Sequence, residues 1–212
     1  MICVSLAEKD PTQCLKLLSE VEMAEIRLDL VDYSDEDINK IFSSGKKLVA
    51  TCRPKQYPDE KQMKKLILAM QSGASYVDIE VEAPEAIRNE LIQVARQNNC
   101  EVIISYHNYT STPDISELNK IVEEMYNIGA DVAKVATMAN NIKDVAKVLS
   151  LYSLGKRLVA LGMGNEGKIT RLMAPLFNAE FTFATLESGK ETAPGQVTKD
   201  QLIEIIDLIK KL

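Results

Sequence analysis

Short hydrophobic runs alternate with longer amphipathic segments along the whole chain. The short runs are rich in β-branched and other apolar residues, which is typical of buried strands, and the longer segments repeat apolar residues with helical spacing. The pattern predicts strands at residues 2–6, 24–28, 48–52, 76–81, 101–106, 131–136, 157–161 and 180–185. It predicts helices near residues 11–21, 35–43, 60–72, 84–98, 114–128, 140–152, 166–177 and 198–211.

Strict alternation of strand and helix predicts the fold class. Eight strands, each followed by a helix, indicate an α/β protein with a (β/α)8 TIM barrel, and we expect residues 1–212 to form a single compact catalytic domain. A doubly wound open sheet is the alternative, but it usually has fewer strands and a glycine fingerprint after the first. Here the first strand is followed by Ala7-Glu8-Lys9-Asp10.

Ionisable residues interrupt several of the predicted strands. Side chains alternate between the two faces of a strand, and the outer face of a barrel strand packs on helices. Polar residues inside the strands therefore point into the barrel, mostly near the carboxyl ends where barrel enzymes keep their sites. This set comprises Glu25, Arg27, Thr51, Arg53, Asp78, Glu80, Ser105, His107 and Lys134. A solvent-facing strand would explain the same alternation without a site.

Lys134 and His107 carry the candidate chemistry. Lys134 lies among small apolar residues, so it loses hydration, which favours the neutral amine that attacks ketones to form a Schiff base. A lysine that reaches the barrel mouth or pairs with Glu80 is the structural alternative. His107 is the chain's one histidine and either takes a structural hydrogen bond or acts as acid and base. Together, a lysine imine and a histidine base can remove a proton next to a carbonyl.

Two polar segments follow the last two predicted strands. Residues 162–171 read as a loop with three glycines, typical of phosphate cradles in barrels, although Arg171 in the same segment suits a planar carboxylate. Residues 186–196 are polar and punctuated by glycine and proline, which fits either a lid over the barrel mouth or an ordinary exposed loop.

Composition and charge narrow the partners and the compartment. The chain has 212 residues, of which 46% are hydrophobic, and a formal net charge of −6, which argues against nucleic acid and anionic membranes as partners. No apolar run is long enough for a membrane helix, and the first residues do not resemble a signal peptide. The four cysteines are widely spaced and fit neither a zinc site nor a disulfide framework. We therefore expect a cytoplasmic protein.

Seven short motifs, in order along the chain, resemble those of the type I 3-dehydroquinate dehydratase family. They are Glu25-Ile26-Arg27-Leu28-Asp29, Thr51-Cys52-Arg53, Ser105-Tyr106-His107-Asn108-Tyr109, Ala133-Lys134-Val135-Ala136-Thr137-Met138, Gly162-Met163-Gly164, Thr170-Arg171 and Thr192-Ala193-Pro194-Gly195-Gln196. Each motif is weak alone, but their order on the predicted strand ends covers essentially the whole chain.

The resemblance implies a metal-free, cofactor-independent lyase of the shikimate pathway of aromatic amino acid biosynthesis. Such an enzyme is a (β/α)8 barrel, is usually a homodimer, and dehydrates the small molecule 3-dehydroquinate through a lysine imine. The implied catalytic residues are Lys134, which forms the imine, and His107, the general acid and base. The implied binding residues are Arg171 for the substrate carboxylate, Glu25, Arg27 and Arg53 around the hydroxyl groups, and Thr192 and Gln196 in the closing loop.

The chain departs from the family pattern beside the histidine. Many members have a glutamate where this chain has Tyr57, so Glu80, Glu60 or no carboxylate would orient His107. Thr192 stands where serine is frequent and keeps the hydroxyl. A class I aldolase, which also uses a barrel lysine, and a non-catalytic ligand-binding barrel are the competing functions.

Overall fold

The computed structural model describes residues 1–53 and 60–211, and in these residues strands and helices alternate as predicted. The strands are β1 (Ile2–Leu6), β2 (Met23–Arg27), β3 (Lys47–Thr51), β4 (Tyr76–Glu80), β5 (Glu101–Asn108), β6 (Val132–Met138), β7 (Leu158–Met163) and β8 (Thr182–Ala184). The helices are α1 (Pro11–Ser19), α2 (Asp35–Phe42), α3 (Glu60–Gln71), α4 (Glu85–Gln97), α5 (Ile115–Ile128), α6 (Ile142–Ser150), α7 (Gly164–Met173) and α8 (Lys199–Lys210). Short 3-10 helices follow α6 and α7, at Leu151–Leu154 and Ala174–Phe177.

The strands form one eight-stranded sheet in the order β7-β6-β5-β4-β3-β2-β1-β8. The pairs β1–β8, β2–β3, β3–β4 and β6–β7 are all parallel. Just before β8, the backbone N–H of Glu180 donates to the carbonyl oxygen of Leu158 at the start of β7, 3.0 Å away. The fold is therefore the (β/α)8 barrel that the sequence predicts.

Backbone proximity divides the chain into two compact units. The central unit comprises Leu6–Ile104 and Gly129–Asp131. The terminal unit comprises Met1–Ser5, Ser105–Ile128 and Val132–Leu212.

In the central unit, strands β2 and β3 pair in register from Met23 opposite Lys47 to Arg27 opposite Thr51. Helix α1 begins as predicted, because the Asp10 side chain accepts from the Thr12 N–H at 2.9 Å and a proline occupies the first helical position. Helix α2 begins with a capping box. These local signals fix where α1 and α2 start.

In the terminal unit, β8 packs its outer face on the last helix. Ala184, Leu202 and Ile206 form a buried cluster, and Ile2, Leu172 and Val197 pack against it. A second capping box starts α8, with the Thr198 hydroxyl accepting from the Gln201 N–H at 3.2 Å. The chain's first strand is thereby held against its last strand and last helix.

The prediction that residues 162–171 form a loop is wrong. Gly162 lies within β7, which ends at Met163, and α7 begins at the next residue, Gly164. A Cβ on Gly167 would overlap the backbone of Gly162, so the two glycines allow the first turn of α7 to lie directly on the strand end. The Gly162 N–H also donates to the Thr170 hydroxyl at 2.8 Å. Close packing thus accounts for these two glycines without a bound phosphate.

Among the described residues, no helix combines the length and apolar character needed to cross a membrane.

Candidate active site

Glu25 and Arg27 lie on the same buried face of β2, as the alternation predicts. Glu25 accepts a hydrogen bond from the Thr51 hydroxyl at 2.9 Å. Arg27 is held by Asp29 through two bonds, Nε–Oδ1 at 3.0 Å and Nη2–Oδ2 at 2.7 Å. Burial lowers the pKa of Arg27, but the bond to Asp29 and the charges of Glu25 and Asp29 outweigh it and raise the pKa above its ordinary value. The guanidinium is therefore a fixed cation.

Arg53 follows β3 and is held by two carboxylates from β4. Its Nη1 forms an ion pair with Glu80, and its Nη2 lies 3.6 Å from Asp78. Glu80, one of the carboxylates that could orient His107, is thus a partner of Arg53. Tyr57, which stands at the family's usual glutamate position, lies outside the described residues.

Lys134 lies in β6 with only 4% of its surface exposed. Its neighbours Ala133 and Val135 are fully buried, and its Nζ lies 4.3 Å from the centroid of the Phe183 ring. Burial of this degree does not favour a lysine that reaches out to solvent. The amine lies against the face of an aromatic ring.

His107 lies near the carboxyl end of β5, the neighbour of β6 in the sheet. The strand runs to Asn108, two residues beyond its predicted end, so His107 is part of the strand. The imidazole is half-buried and stacks on Tyr109, with ring centroids 6.1 Å apart and planes inclined by 19°. Stacking on one face leaves the edge of the ring, which carries both nitrogens, to form hydrogen bonds.

Arg171 lies in the last turn of α7 and is 1% exposed. Its Nη2 lies 3.5 Å from the carbonyl oxygen of Pro194, which belongs to the predicted lid. The carbonyl oxygen of Arg171 in turn accepts from the Thr182 hydroxyl at 3.0 Å. Thr182 therefore holds the backbone of Arg171, while its guanidinium is directed towards the lid segment.

The lid segment, residues 186–196, is seated on the terminal unit rather than extended from it. Thr192 donates from its hydroxyl to the Ser5 hydroxyl at 2.7 Å and from its N–H to the Gln196 side-chain oxygen at 2.8 Å. Gly195 approaches α7 so closely that a Cβ there would overlap the carbonyl oxygen of Gly164. These contacts hold residues 192–196 against β1 and α7, whereas residues 187–191 are exposed. The lid stays a prediction.

An open groove of about 550 Å³ lies along the lid, lined by Lys168 and by residues 191–196. A hydrogen bond from the Gly189 N–H lowers the pKa of Glu191 at the groove's rim, and the charge of Lys168 adds to this. Thr192 and Gln196, the two implied lid residues, are among those that line the groove.

Three residues of the site escaped the sequence reasoning as functional positions. Asp29 continues the alternation of Glu25 and Arg27 by one step, and this periodicity could have identified it as the partner of Arg27. Ser5 is a hydroxyl residue in an apolar strand, which is a weak signal. Phe183 carries no signal, because an aromatic residue in a buried strand is ordinary.

Among the described residues, no group of three or more histidine, cysteine, aspartate and glutamate side chains could hold a metal ion. The four cysteines are buried thiols, and none of them is in a disulfide. Burial raises the pKa of Cys100 to about 12, with smaller contributions from Asp131 and Glu101, so its thiol stays protonated at neutral pH.

Comparison with known proteins identifies the family of this chain. The profile of a family described as Type I 3-dehydroquinase matches residues 2–212. A 3-dehydroquinate dehydratase of Methanococcus maripaludis is 35% identical over 225 residues, covering 99% of this chain and all of the relative. The solved structure of the 3-dehydroquinate dehydratase of Aquifex aeolicus is 27% identical, with a TM-score of 0.83, and the match covers 100% of each chain. That of Geobacillus kaustophilus has 22% identity and a TM-score of 0.87, covering 99% of this chain and 91% of its own. The chain belongs to the type I 3-dehydroquinase family.

Proposed function

We propose that this protein dehydrates 3-dehydroquinate to 3-dehydroshikimate, a step of the shikimate pathway, through an imine formed on Lys134. Family membership supplies the reaction, which is that of a hydro-lyase. The observation that carries the mechanism is the burial of Lys134, a lysine 4% exposed within an apolar strand of the family's fold. An amine there is shielded from water, which favours attack on a ketone.

The first step forms the covalent intermediate. The neutral amine of Lys134 adds to the C3 ketone of the substrate, and the resulting carbinolamine loses water to give an iminium. The positive nitrogen withdraws electrons from the ring, so the C2 proton becomes acidic enough for a side chain to remove.

His107 then moves the proton. In its neutral form it takes the proton from C2, which leaves an enamine conjugated to nitrogen. The C1 hydroxyl departs as water, with protonated His107 as the donor, and a double bond forms between C1 and C2. Hydrolysis of the imine releases 3-dehydroshikimate and the free lysine. The overall change is the loss of one water at unchanged oxidation level, so the reaction requires no redox cofactor.

The remaining residues bind and orient the substrate. Arg171 is nearly fully buried and offers a planar fork to the substrate carboxylate, which explains how a chain of net charge −6 captures an anion. Thr51 of the neighbouring strand holds Glu25, Asp29 two residues along the chain holds Arg27, and Glu80 of β4 holds Arg53. Groups fixed in this way suit the recognition of hydroxyls by position. Thr192 and Gln196 close the site from the lid.

Borohydride reduction in the presence of 3-dehydroquinate tests this proposal directly. Reduction converts an iminium into a stable secondary amine, so mass spectrometry of the intact protein and its peptides should find one adduct, at Lys134. Lys134→Met, which keeps the length of the side chain without the amine, should give no adduct and no turnover. Lys143→Met, at an exposed lysine of α6, is the matched control and should behave as wild type. An adduct at Lys168 or Lys190 would move the nucleophile elsewhere and overturn the assignment.

The same preparation separates the competing functions. A class I aldolase would also form an imine, but it would cleave a carbon–carbon bond, so product analysis after incubation with 3-dehydroquinate and with aldol substrates distinguishes the two. A non-catalytic barrel would form no adduct with either. Dehydration of 3-dehydroquinate with an adduct at Lys134 is the outcome that we expect.

We further propose that the protein acts as a cytoplasmic homodimer, as the resemblance to its family implies. Sedimentation equilibrium should give twice the chain mass of 23.6 kDa. A monomer at micromolar concentration would contradict the assembly without affecting the catalytic proposal.

A further inference from the structure

We propose that Phe183 is a positioning residue for Lys134, and that its ring face favours the cationic iminium over the neutral species that precede it. The inference rests on the proposed function, because it concerns the amine that forms the imine. Its basis is the contact of the Lys134 Nζ with the ring of Phe183, 4.3 Å from the centroid.

The direction of Phe183 follows from its strand. In β8 the Thr182 hydroxyl donates to the Arg171 carbonyl, and Ala184 packs in the cluster with α8. Both neighbours of Phe183 therefore face the helices, and alternation turns its ring to the opposite face of the sheet. Phe181, two residues earlier, supports the ring edge-on, with centroids 5.4 Å apart and planes inclined by 74°. The orientation of the ring is thus fixed by its position in the strand and by its packing on Phe181.

The ring's electrostatics select between the reaction's species. The face of an aromatic ring is electron-rich and attracts a cation within about 6 Å of its centroid, most strongly where water is excluded. Phe183 is 3% exposed and Lys134 is 4% exposed, so the contact is dry. Among the bound species that follow attack on the ketone, the iminium is a cation centred on the same nitrogen, whereas the carbinolamine is neutral. A ring at this position therefore shifts the covalent equilibrium towards the iminium, from which C2 is deprotonated.

Stepwise fluorination of this ring tests the inference, because fluorine weakens the attraction for cations while nearly preserving the shape of the ring. Phenylalanine 183 would be replaced site-specifically by its 4-fluoro, 3,5-difluoro and 3,4,5-trifluoro forms in the full chain. The same series at Phe42, a buried residue of α2 in the central unit, is the matched control. The readouts are the fraction of protein reduced to the Lys134 adduct at fixed 3-dehydroquinate and borohydride, and kcat.

We expect the adduct fraction and kcat to fall stepwise with each fluorine at position 183, by roughly five- to thirty-fold at the trifluoro form. The Phe42 series should remain within about twofold of wild type, since a purely structural effect of fluorine would appear there too. Phe183→Leu keeps an apolar side chain but removes the ring. Its adduct fraction and kcat should fall at least as far as those of the trifluoro form.

A flat series at position 183, or the same slope at Phe42, would overturn the inference and leave the proposed function intact. The absence of any adduct in the wild-type protein would instead overturn the proposed function, and the inference with it.

Discussion

The cationic side chains of the central unit are fixed by carboxylates close to them in the fold. Arg27 forms an ion pair with Asp29, two residues along the chain, and Arg53 forms ion pairs with Asp78 and Glu80 on the next strand. Buried ion pairs contribute little net stability, because desolvation offsets their attraction, but removing one partner leaves a charge uncompensated. Their consequence is positional, since each guanidinium is held in one orientation.

His107→Ala separates the two chemical roles of the site. The variant should still form an adduct with 3-dehydroquinate on borohydride reduction, because Lys134 supplies the nucleophile. Product formation should fall by roughly 10²–10⁴-fold, the usual loss for a general acid–base group. The measurement is the adduct mass set beside the steady-state rate for the same preparation. If the variant turned over near the wild-type rate, His107 would be structural and a carboxylate such as Glu80 or Glu25 would have to be the base.

At the scale of elements, Tyr152 joins the 3-10 turn after α6 to strand β7. Its hydroxyl donates to the Ala160 carbonyl oxygen and accepts from the Ala160 N–H, both at 3.0 Å. Burial raises the pKa of Tyr152 to about 12, and the hydrogen bond from the Ala160 N–H, which favours the phenolate, opposes the shift. The folded protein therefore keeps this proton at pH values where the unfolded chain releases it.

Tyr152→Phe should lower the free energy of unfolding by about 1–3 kcal/mol at neutral pH, because both backbone groups of Ala160 lose this partner. The pH dependence should also change. A pKa raised in the folded state gives stability that is complete below pH 10 and is lost as the pH rises towards 12. Urea unfolding between pH 8 and 11 should therefore show a shallower alkaline decline in the variant than in wild type. Parallel curves would contradict the role given to this hydroxyl.

The seat of the lid on α7 depends on one glycine. Gly195 has a φ of +78°, and a Cβ there would overlap the Gly164 carbonyl oxygen. Gly195→Ala should displace the lid, break the contact of Arg171 with Pro194, and raise KM for 3-dehydroquinate by about tenfold, equivalent to roughly 1.4 kcal/mol. Steady-state kinetics measure this directly.

Gly189→Ala is the matched control for the lid variant. Gly189 lies in the same segment with a φ of +86°, but a Cβ there has nothing within 4 Å. Both substitutions carry the backbone strain of a left-handed residue, and only Gly195→Ala adds the overlap. Equal effects on KM would mean that strain, and not the contact with α7, governs the lid.

At the scale of the whole molecule, the two compact units are interleaved along the chain. The boundary between Ile104 and Ser105 lies inside β5, and residues Ile2–Ser5 of β1 belong to the unit built from the chain's second half. Neither unit is a continuous stretch that could be separated by cutting one linker. The sequence-based prediction of a single domain over residues 1–212 accordingly remains our proposal.

We expect thermal unfolding in a single cooperative transition, with calorimetric and van't Hoff enthalpies equal. Circular dichroism and the reactivity of the four buried thiols towards a disulfide reagent should report the same midpoint, because each unit contains some of these cysteines. Two separated transitions, or thiols exposed well before the loss of helix, would show that the units unfold independently.

The periodicity of apolar residues in the sequence predicted most of this protein's secondary structure. Alternating segments gave every described strand and helix to within a few residues, since buried strands and amphipathic helices need different spacings of apolar side chains. The same alternation placed Glu25 with Thr51, and Arg53 with Asp78 and Glu80, on common faces. The motifs around Lys134 and His107 then identified the family. Caps such as Asp10, which act within one turn, fix the helix starts that the structure shows.

Contacts between residues far apart in the chain were decided only by the tertiary structure. The glycines at 162–167 looked like a loop because glycine breaks regular structure in isolation, whereas the approach of α7 to β7 requires their lack of a Cβ. The hydrogen bond of Thr192 to Ser5 spans 187 residues, and the ring of Phe183 reaches Lys134 from another strand. Neither contact leaves a local signature, because periodicity reports which face a side chain takes and not which distant side chain it meets there.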